Sequence, residues 1–183
     1  EWPDGKKQTL EAPDFDQLIQ VNYGEAVAMA ENKERTQTYF QNLGLEAMFK
    51  HEENLYDDFE KELLLPHKQS QNGPKIAVGD LNGDQREDFF IGGAAGQAGR
   101  LIINAGGNRF GISSQEIFQA DSAYEDLGGT FFDADSDGDL DLYVVSGGNE
   151  FEPNSPILQD RLYLNDGRGL FQKDNSMLPT INS

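Results

Sequence analysis

Short apolar runs alternate with acidic or glycine-rich turns through the second half of the chain. Two of the runs, Phe89-Phe-Ile91 and Leu142-Tyr-Val-Val145, each lead into a glycine pair, at Gly92-Gly93 and at Gly147-Gly148. Apolar runs of this length that are bounded by turn residues are typical of β-strands. The pattern therefore predicts a mainly β structure for this part of the chain.

The pattern occurs twice, which indicates an internal repeat. Arg100–Phe110 matches Arg161–Phe171, with arginine, leucine, asparagine, a glycine-rich turn and phenylalanine in step. A further apolar run precedes an acidic loop in each unit, at Lys75–Val78 and at Gly129–Phe132. Each unit thus predicts four strands, joined in turn by an acidic loop, a glycine turn and an Asn-Gly-type turn. About two such four-stranded repeats favour partial β-propeller-like blades over a helical solenoid.

The acidic loop of the second unit is the strongest chemical signal in the chain. Asp133-Ala-Asp-Ser-Asp-Gly-Asp-Leu-Asp141 has an aspartate at every odd position, and carboxylates so close together repel one another. A loop wrapped around a hard divalent cation removes this repulsion. Calcium fits best, because it takes about six to eight oxygen ligands with flexible geometry and Gly138 permits the sharp bend.

We predict about two calcium ions, one in each acidic loop. The first loop repeats the oxygen side chains of the second at the same offsets, and its predicted ligands are Asp80, Asn82, Asp84, Asp88 and the carbonyl of Arg86. The predicted ligands of the second loop are Asp133, Asp135, Asp137, Asp141 and the carbonyl of Asp139. We expect the Asp139 side chain to face solvent. The first loop offers three carboxylates against four, so we predict that it binds calcium more weakly.

The residues after each loop exclude the helical calcium-binding motifs. An EF-hand needs a bidentate glutamate at the twelfth position and a helix on each side. The twelfth residues here are Ile91 and Val144, and each lies in a β-rich run. A dockerin also expects a helix after each loop, so it is excluded on the same grounds.

Composition narrows the classes of function. The 183 residues include 33 acidic and 14 basic side chains, and the net charge of −19 argues against nucleic acid and anionic membranes as partners. No apolar run approaches the length of a membrane span, and the absence of cysteine excludes disulfides and thiolate metal sites. The two histidines, His51 and His67, show no metalloprotease spacing. We therefore predict no catalytic residue.

The repeats resemble a known family. Gly79–Asp84, Phe132–Leu142 and Leu162–Gly167 are similar to VCBS repeats, relatives of the FG-GAP repeats of integrin alpha subunits, and the resemblance covers roughly Gly73 to Leu178. It implies that each acidic loop links two antiparallel strands of a blade and binds calcium. The family usually has glycine where Gln85 stands, so the first loop fits the pattern less well than the second.

The N-terminal part resembles a different segment. Glu1–Leu10, followed by Asp16–Val21, is similar to the end of an ASPIC/UnbV segment and predicts a small β hairpin around a Pro-Asp-Gly turn. Residues 25–42 predict a helix or a linker. Residues 54–65 predict a short helix ending at Pro66. An extended strand over Met48–Glu52 is an alternative prediction that the sequence of this region supports nearly as well.

Three domains follow from these segments: an ASPIC/UnbV-like β segment over 1–24, a connecting segment over 25–72 and two VCBS/FG-GAP-like repeats over 73–183. Because two blades do not close a propeller, we expect their exposed edges to be covered by other repeats of a parent protein, by the N-terminal segment or by another copy of the chain. Calcium loops favour a secreted or cell-surface location, where roughly millimolar calcium fills weak sites.

The resulting hypothesis is a calcium-binding, non-catalytic module of a larger protein. The resemblance implies adhesion, or the recognition of a glycan or protein ligand. One alternative is an accessory or partial domain of a polysaccharide-degrading enzyme, and another is a purely structural spacer. We expect no nucleic-acid partner and no membrane insertion.

Overall fold

The structure, a computed structural model, describes residues 2–4, 6–10, 16, 18–27, 44 and 48–180. Contacts within the chain divide it into two compact units, Glu1–Gln41 and Asn42–Ser183. The segment predicted as a helix or linker, residues 25–42, lies outside the described residues after Val27.

The described part of the first unit contains a turn and a single β-bridge. The turn predicted around Pro3 is closed by a hydrogen bond from the Trp2 N–H to the Lys6 carbonyl, with an N to O distance of 2.8 Å. Lys7 and Val27 form an isolated antiparallel bridge. Val27 lies beyond the two segments predicted to pair, so within the described residues this bridge differs from the predicted hairpin.

The second unit contains two four-stranded antiparallel sheets, and in each sheet the strands lie in sequence order. The first sheet consists of β1 (Ile76–Gly79), β2 (Asp88–Ile91), β3 (Arg100–Gly106) and β4 (Arg109–Ser113). The second consists of β5 (Glu125–Phe132), β6 (Asp141–Gly147), β7 (Arg161–Asn165) and β8 (Phe171–Lys173). The prediction of a mainly β fold with two four-stranded, blade-like repeats is confirmed.

The helices are short, and none in the described part of the chain has the length and apolar character needed to cross a membrane. In the described residues the helices are α1 (Asp58–Lys61), α2 (Glu116–Ala120) and two 3₁₀ helices, Tyr23–Glu25 and Pro156–Leu158. Helix α1 occupies the middle of the segment predicted as a helix over 54–65, but it ends before Pro66. Because it has a single turn, it forms no apolar stripe, and Leu55 and Leu63 are exposed.

The apolar core joins the two sheets. Helix α2 follows the first sheet and places the Phe118 ring 5.5 Å from that of Phe90 and 5.2 Å from that of Tyr163, measured between ring centroids. Burial of one such side chain contributes about 1.5–3 kcal/mol. The core also includes almost fully buried aliphatic side chains from both sheets and from the connection between β1 and β2: Leu81, Leu101, Leu142 and Val144.

Candidate metal centre

Each acidic loop connects the first two strands of its sheet. In the first sheet Gly79 pairs with Asp88, and in the second Phe132 pairs with Asp141. The loops therefore occupy residues 80–87 and 133–140, and the last aspartate of each sequence motif is the first residue of the next strand. The predicted placement of each loop between two antiparallel strands is confirmed.

The last aspartate anchors its loop in the same way in both sheets. Asp88 Oδ1 accepts from the Asn104 N–H at 2.7 Å, and Asp141 Oδ1 accepts from the Asn165 N–H at 2.8 Å. The second oxygen of each accepts from a backbone N–H of its own loop. Both carboxylates are fully buried, and burial raises the pKa of Asp88 although the N–H groups favour its charged form.

Asn104 and Asn165 are structural partners of the loops that the sequence analysis did not select. They occupy the same position in the two matched segments, and this repetition is the sequence feature that could have identified them. The Asn165 Nδ2 group donates to the Leu81 carbonyl at 2.9 Å and to the Leu140 carbonyl at 3.1 Å. Asn165 therefore ties the first loop to the second.

Three predicted ligands come together in the second loop. Asp133, Asp135 and Asp141 each place a carboxylate oxygen within 4.8 Å of the other two, and no other acidic, histidine or cysteine trio of the described residues does so. Calcium–oxygen distances are about 2.3–2.6 Å, so ligands on opposite sides of an ion lie about 5 Å apart. The spacing of this group fits a calcium ion.

Asp137 and Asp139 lie beside this group and differ from each other. Asp137 Oδ1 accepts from the Asp139 N–H at 3.1 Å, and Asp137 is exposed. Asp139 is half-buried, and its Oδ1 atom is buried with no hydrogen-bond partner among the described residues. The expectation that the Asp139 side chain faces solvent is wrong for this oxygen. The β7–β8 turn approaches it closely: a Cβ atom at Gly167 would lie 3.3 Å from Asp139 Oδ2.

The surroundings of Asp139 also fit a cation. Burial raises the pKa of Asp139, and with the added repulsion of the neighbouring loop carboxylates the pKa reaches about 6. A buried carboxylate oxygen without a donor, surrounded by like charges, is stabilised by a positive ion. The loop therefore offers the side chain of Asp139 in addition to its predicted carbonyl.

The first loop already contains a positive charge. The Arg86 guanidinium makes an ion pair with Asp84, and its Nε donates to the Asn104 carbonyl at 2.9 Å. Asp80 accepts backbone N–H groups from Asp84 at 3.1 Å and from Gln85 at 2.8 Å. Within the described residues, the carboxylates of the first loop do not form a close trio like that of the second loop. Arg86 was selected for its carbonyl, whereas its side chain partly neutralises the loop.

Both loops use the left-handed backbone region at the same two positions. At one position the first loop has Gly83 and the second has Ser136, with φ of 72° and 68°. At the other position the first loop has Gln85 and the second has Gly138, with φ of 64° and 97°. Each loop thus has glycine at one position and a residue with a side chain at the other. The backbone path is shared although the glycines are exchanged.

The comparisons with known proteins agree with this architecture. The model of the FG-GAP-like repeat family matches residues 80–144, which run from the first acidic loop into β6 and cover about a third of the chain. No curated protein matches the chain. The match indicates a repeat module of a larger protein, and repeats of this kind often bind calcium and occur in extracellular or surface proteins. Residues 80–144 are thus similar to an FG-GAP-like repeat.

Proposed function

We propose that this chain is a calcium-binding, non-catalytic repeat module of a larger secreted or cell-surface protein. The observation that carries the proposal is the close approach of the Asp133, Asp135 and Asp141 carboxylates at the β5–β6 connection. Calcium bound there offsets their mutual repulsion and fixes the ends of two adjacent strands. The ion is therefore structural, and its occupancy is linked to folding.

Other repeats of the parent protein are the first class of partner in this proposal. Strand β1 is at an edge of its sheet, and Ile76 and Val78 on this strand are 58% and 54% exposed. Apolar side chains at a sheet edge favour coverage by a further element. Adhesion, or recognition of a glycan or protein, is the role that we propose for the parent, by analogy with the resembling repeats.

Calcium titration tests the proposal. We expect chelator-treated protein to bind calcium in a calorimeter and to unfold at a higher temperature as calcium is added. A ligand at 100 times its Kd stabilises the folded state by about 2.7 kcal/mol. Asp135→Asn should abolish the tightest binding event. The control is Glu60→Gln, which makes the same change of charge at an exposed position of helix α1.

Two results would refute the calcium assignment. One is a wild-type protein that binds no calcium at millimolar concentration, and the other is binding that leaves the unfolding temperature unchanged. If Glu60→Gln weakens binding as much as Asp135→Asn, the effect comes from net charge and not from the loop.

A further inference from the structure

A second acidic cluster lies outside the two loops. It is formed by three glutamates and an asparagine, and each has a buried oxygen without a hydrogen-bond partner among the described residues: Glu53 Oε2, Asn54 Oδ1, Glu125 Oε1 and Glu150 Oε2. Glu125 is the first residue of β5 and is fully buried, whereas the other three are half-buried. Buried polar atoms are rarely left unpaired, so this group requires an explanation.

The three carboxylates share one arrangement. In each, one oxygen accepts a hydrogen bond and the other has no donor. Glu125 Oε2 accepts from the Ala95 N–H at 2.7 Å, and Glu150 Oε1 accepts from Asn54 Nδ2 at 3.0 Å. Glu53 Oε1 lies 2.7 Å from His51 Nε2. One oxygen of each carboxylate is therefore held in place while the other is available to a ligand.

The glutamates lie near one another, because Glu125 pairs with Gly147 across β5 and β6, and Glu150, three residues further on, accepts from the neighbour of Glu53. Burial raises the pKa of Glu125 to about 7, and the carboxylates of Glu150 and Glu53 contribute to the rise. Within the described residues, no lysine or arginine makes an ion pair with any of the three. The described residues place one basic side chain against the cluster, His51 beside Glu53, so the free oxygens of Glu125 and Glu150 are left for a positive ion from solution.

We propose that Glu53, Asn54, Glu125 and Glu150 form a second cation site, distinct from the acidic loops, for a divalent ion that prefers oxygen ligands. Three carboxylates and one amide carbonyl match the ligands that calcium takes, and water completes its coordination. The carboxylates are not within 4.8 Å of one another as those of the loop are, so binding draws them together. Calcium tolerates such irregular geometry better than magnesium.

The site would join three separate stretches of the second unit. Glu53 and Asn54 precede the first sheet, Glu125 begins the second, and Glu150 follows β6. The segment that carries Glu53 already contacts the turn after β2, because Gln97 Nε2 donates to the Lys50 carbonyl at 2.8 Å. The Glu52 N–H returns a bond to Gln97 Oε1 at 3.2 Å. A bound ion would therefore fasten this segment, which already contacts the first sheet through Gln97, to the second sheet as well.

The test is the number of calcium ions that the full chain binds, measured by calorimetry and by equilibrium dialysis. Glu125→Gln and Glu150→Gln each remove a charge and keep the shape of the side chain. We expect each variant to bind one ion fewer than the wild type. Glu52→Gln is the matched control, because Glu52 is exposed beside Glu53 and should leave the number unchanged.

A second measurement uses the wild-type protein, so it tests the site even if the variants fail to fold. In crystals of the wild-type protein soaked in terbium, we expect an anomalous peak among Glu53, Glu125 and Glu150. Terbium confined to the acidic loops would overturn the proposal, and so would an unchanged ion count in folded Glu125→Gln and Glu150→Gln. Protons shared among the three carboxylates, with no ion bound, would also overturn it. Asp135→Asn removes a different ion, so this failure is distinguishable from failure of the loop site.

Discussion

Gln85 and Gly138 occupy equivalent positions in the two acidic loops, and both adopt the left-handed backbone region, with φ of 64° and 97°. Glycine adopts this region without steric cost, whereas a residue with a Cβ atom loses about 1–2 kcal/mol. The Gln85 N–H donates to Asp80 Oδ2 at 2.8 Å, which holds the strained residue in place. The first loop therefore keeps the path of the second without its glycine.

Gln85→Gly should stabilise the protein, because it removes this strain. Glycine also has more freedom in the unfolded chain, so we expect a net gain of about 0.5–1 kcal/mol in the free energy of unfolding. Urea unfolding in the presence of a chelator measures the gain without any effect of metal. Gln85→Ala keeps the strain and should change little. Gly138→Ala introduces the same strain into the second loop and should destabilise it.

A Gln85→Gly protein less stable than the wild type would contradict the strain argument. It would mean that the glutamine side chain contributes more to the folded state than its backbone conformation costs. Measuring the same variants in calcium would then show whether that contribution concerns the loop or the metal.

The sequence allowed the strands and the acidic loops to be predicted, because both depend on residues that are close along the chain. Alternation of apolar runs and turns located β2 and β6, and the offsets of the acids located Asp133, Asp135 and Asp141. The burial of Asp139 could not be predicted, because the turn at Gly167 that approaches it is 28 residues away. The Glu53–Glu125 cluster likewise joins positions that no local spacing relates.

Arg86→Gln should strengthen calcium binding in the first loop. The guanidinium pairs with Asp84, one of the predicted ligands, so a calcium ion must compete with it. A partly exposed ion pair contributes about 0.2–1 kcal/mol, which predicts up to about fivefold tighter binding. Calorimetry on protein that carries both Asp135→Asn and Glu125→Gln isolates this loop from the second loop and from the glutamate cluster. Arg109→Gln is the control, because it removes an exposed arginine from the first residue of β4.

Equal effects of Arg86→Gln and Arg109→Gln would attribute the gain to net charge. Weaker binding in Arg86→Gln would contradict the competition argument, since it would mean that the guanidinium organises the loop for the metal. The bond from Arg86 Nε to the Asn104 carbonyl is the contact through which it could do so.

Asp126→Asn should destabilise the second unit strongly. Asp126 and Arg161 form an ion pair in which both side chains are almost fully buried, and Asp126 Oδ2 also accepts from the Gly93 N–H at 2.8 Å. The variant leaves the Arg161 charge buried without its partner, which costs about 3–5 kcal/mol. Urea unfolding measures the loss. In the exposed Lys61–Glu152 pair, Glu152→Gln should cost less than about 1 kcal/mol.

The double variant Asp126→Asn with Arg161→Met distinguishes the cost of a buried unpaired charge from the other effects of replacing Asp126. It no longer buries an unpaired charge, so it should recover part of the stability lost in Asp126→Asn. Additive losses in the double variant would show that the two residues stabilise the protein independently.

Asp58 should make the stability of the second unit sensitive to acid. Burial opposes its ionisation, but donors from Ser70, Asn149 and Gln69 outweigh that effect and lower the pKa of Asp58 to about 2. Because the folded pKa is below the ordinary value of about 3.8, the carboxylate contributes its full stability above pH 4. That contribution is lost as the pH falls from about 4 towards 2.

Asp58→Asn tests this dependence, because it removes the titrating group and places an amide among donors. We expect the variant to be less stable than the wild type at pH 7, and the difference to shrink between pH 4 and pH 2. Asp57→Asn is the control: the Asp57 side chain accepts from the Phe59 N–H at 3.3 Å, and asparagine can make the same cap. A stability difference for Asp58→Asn that stays constant from pH 7 to pH 2 would show that the carboxylate is not held ionised by these donors.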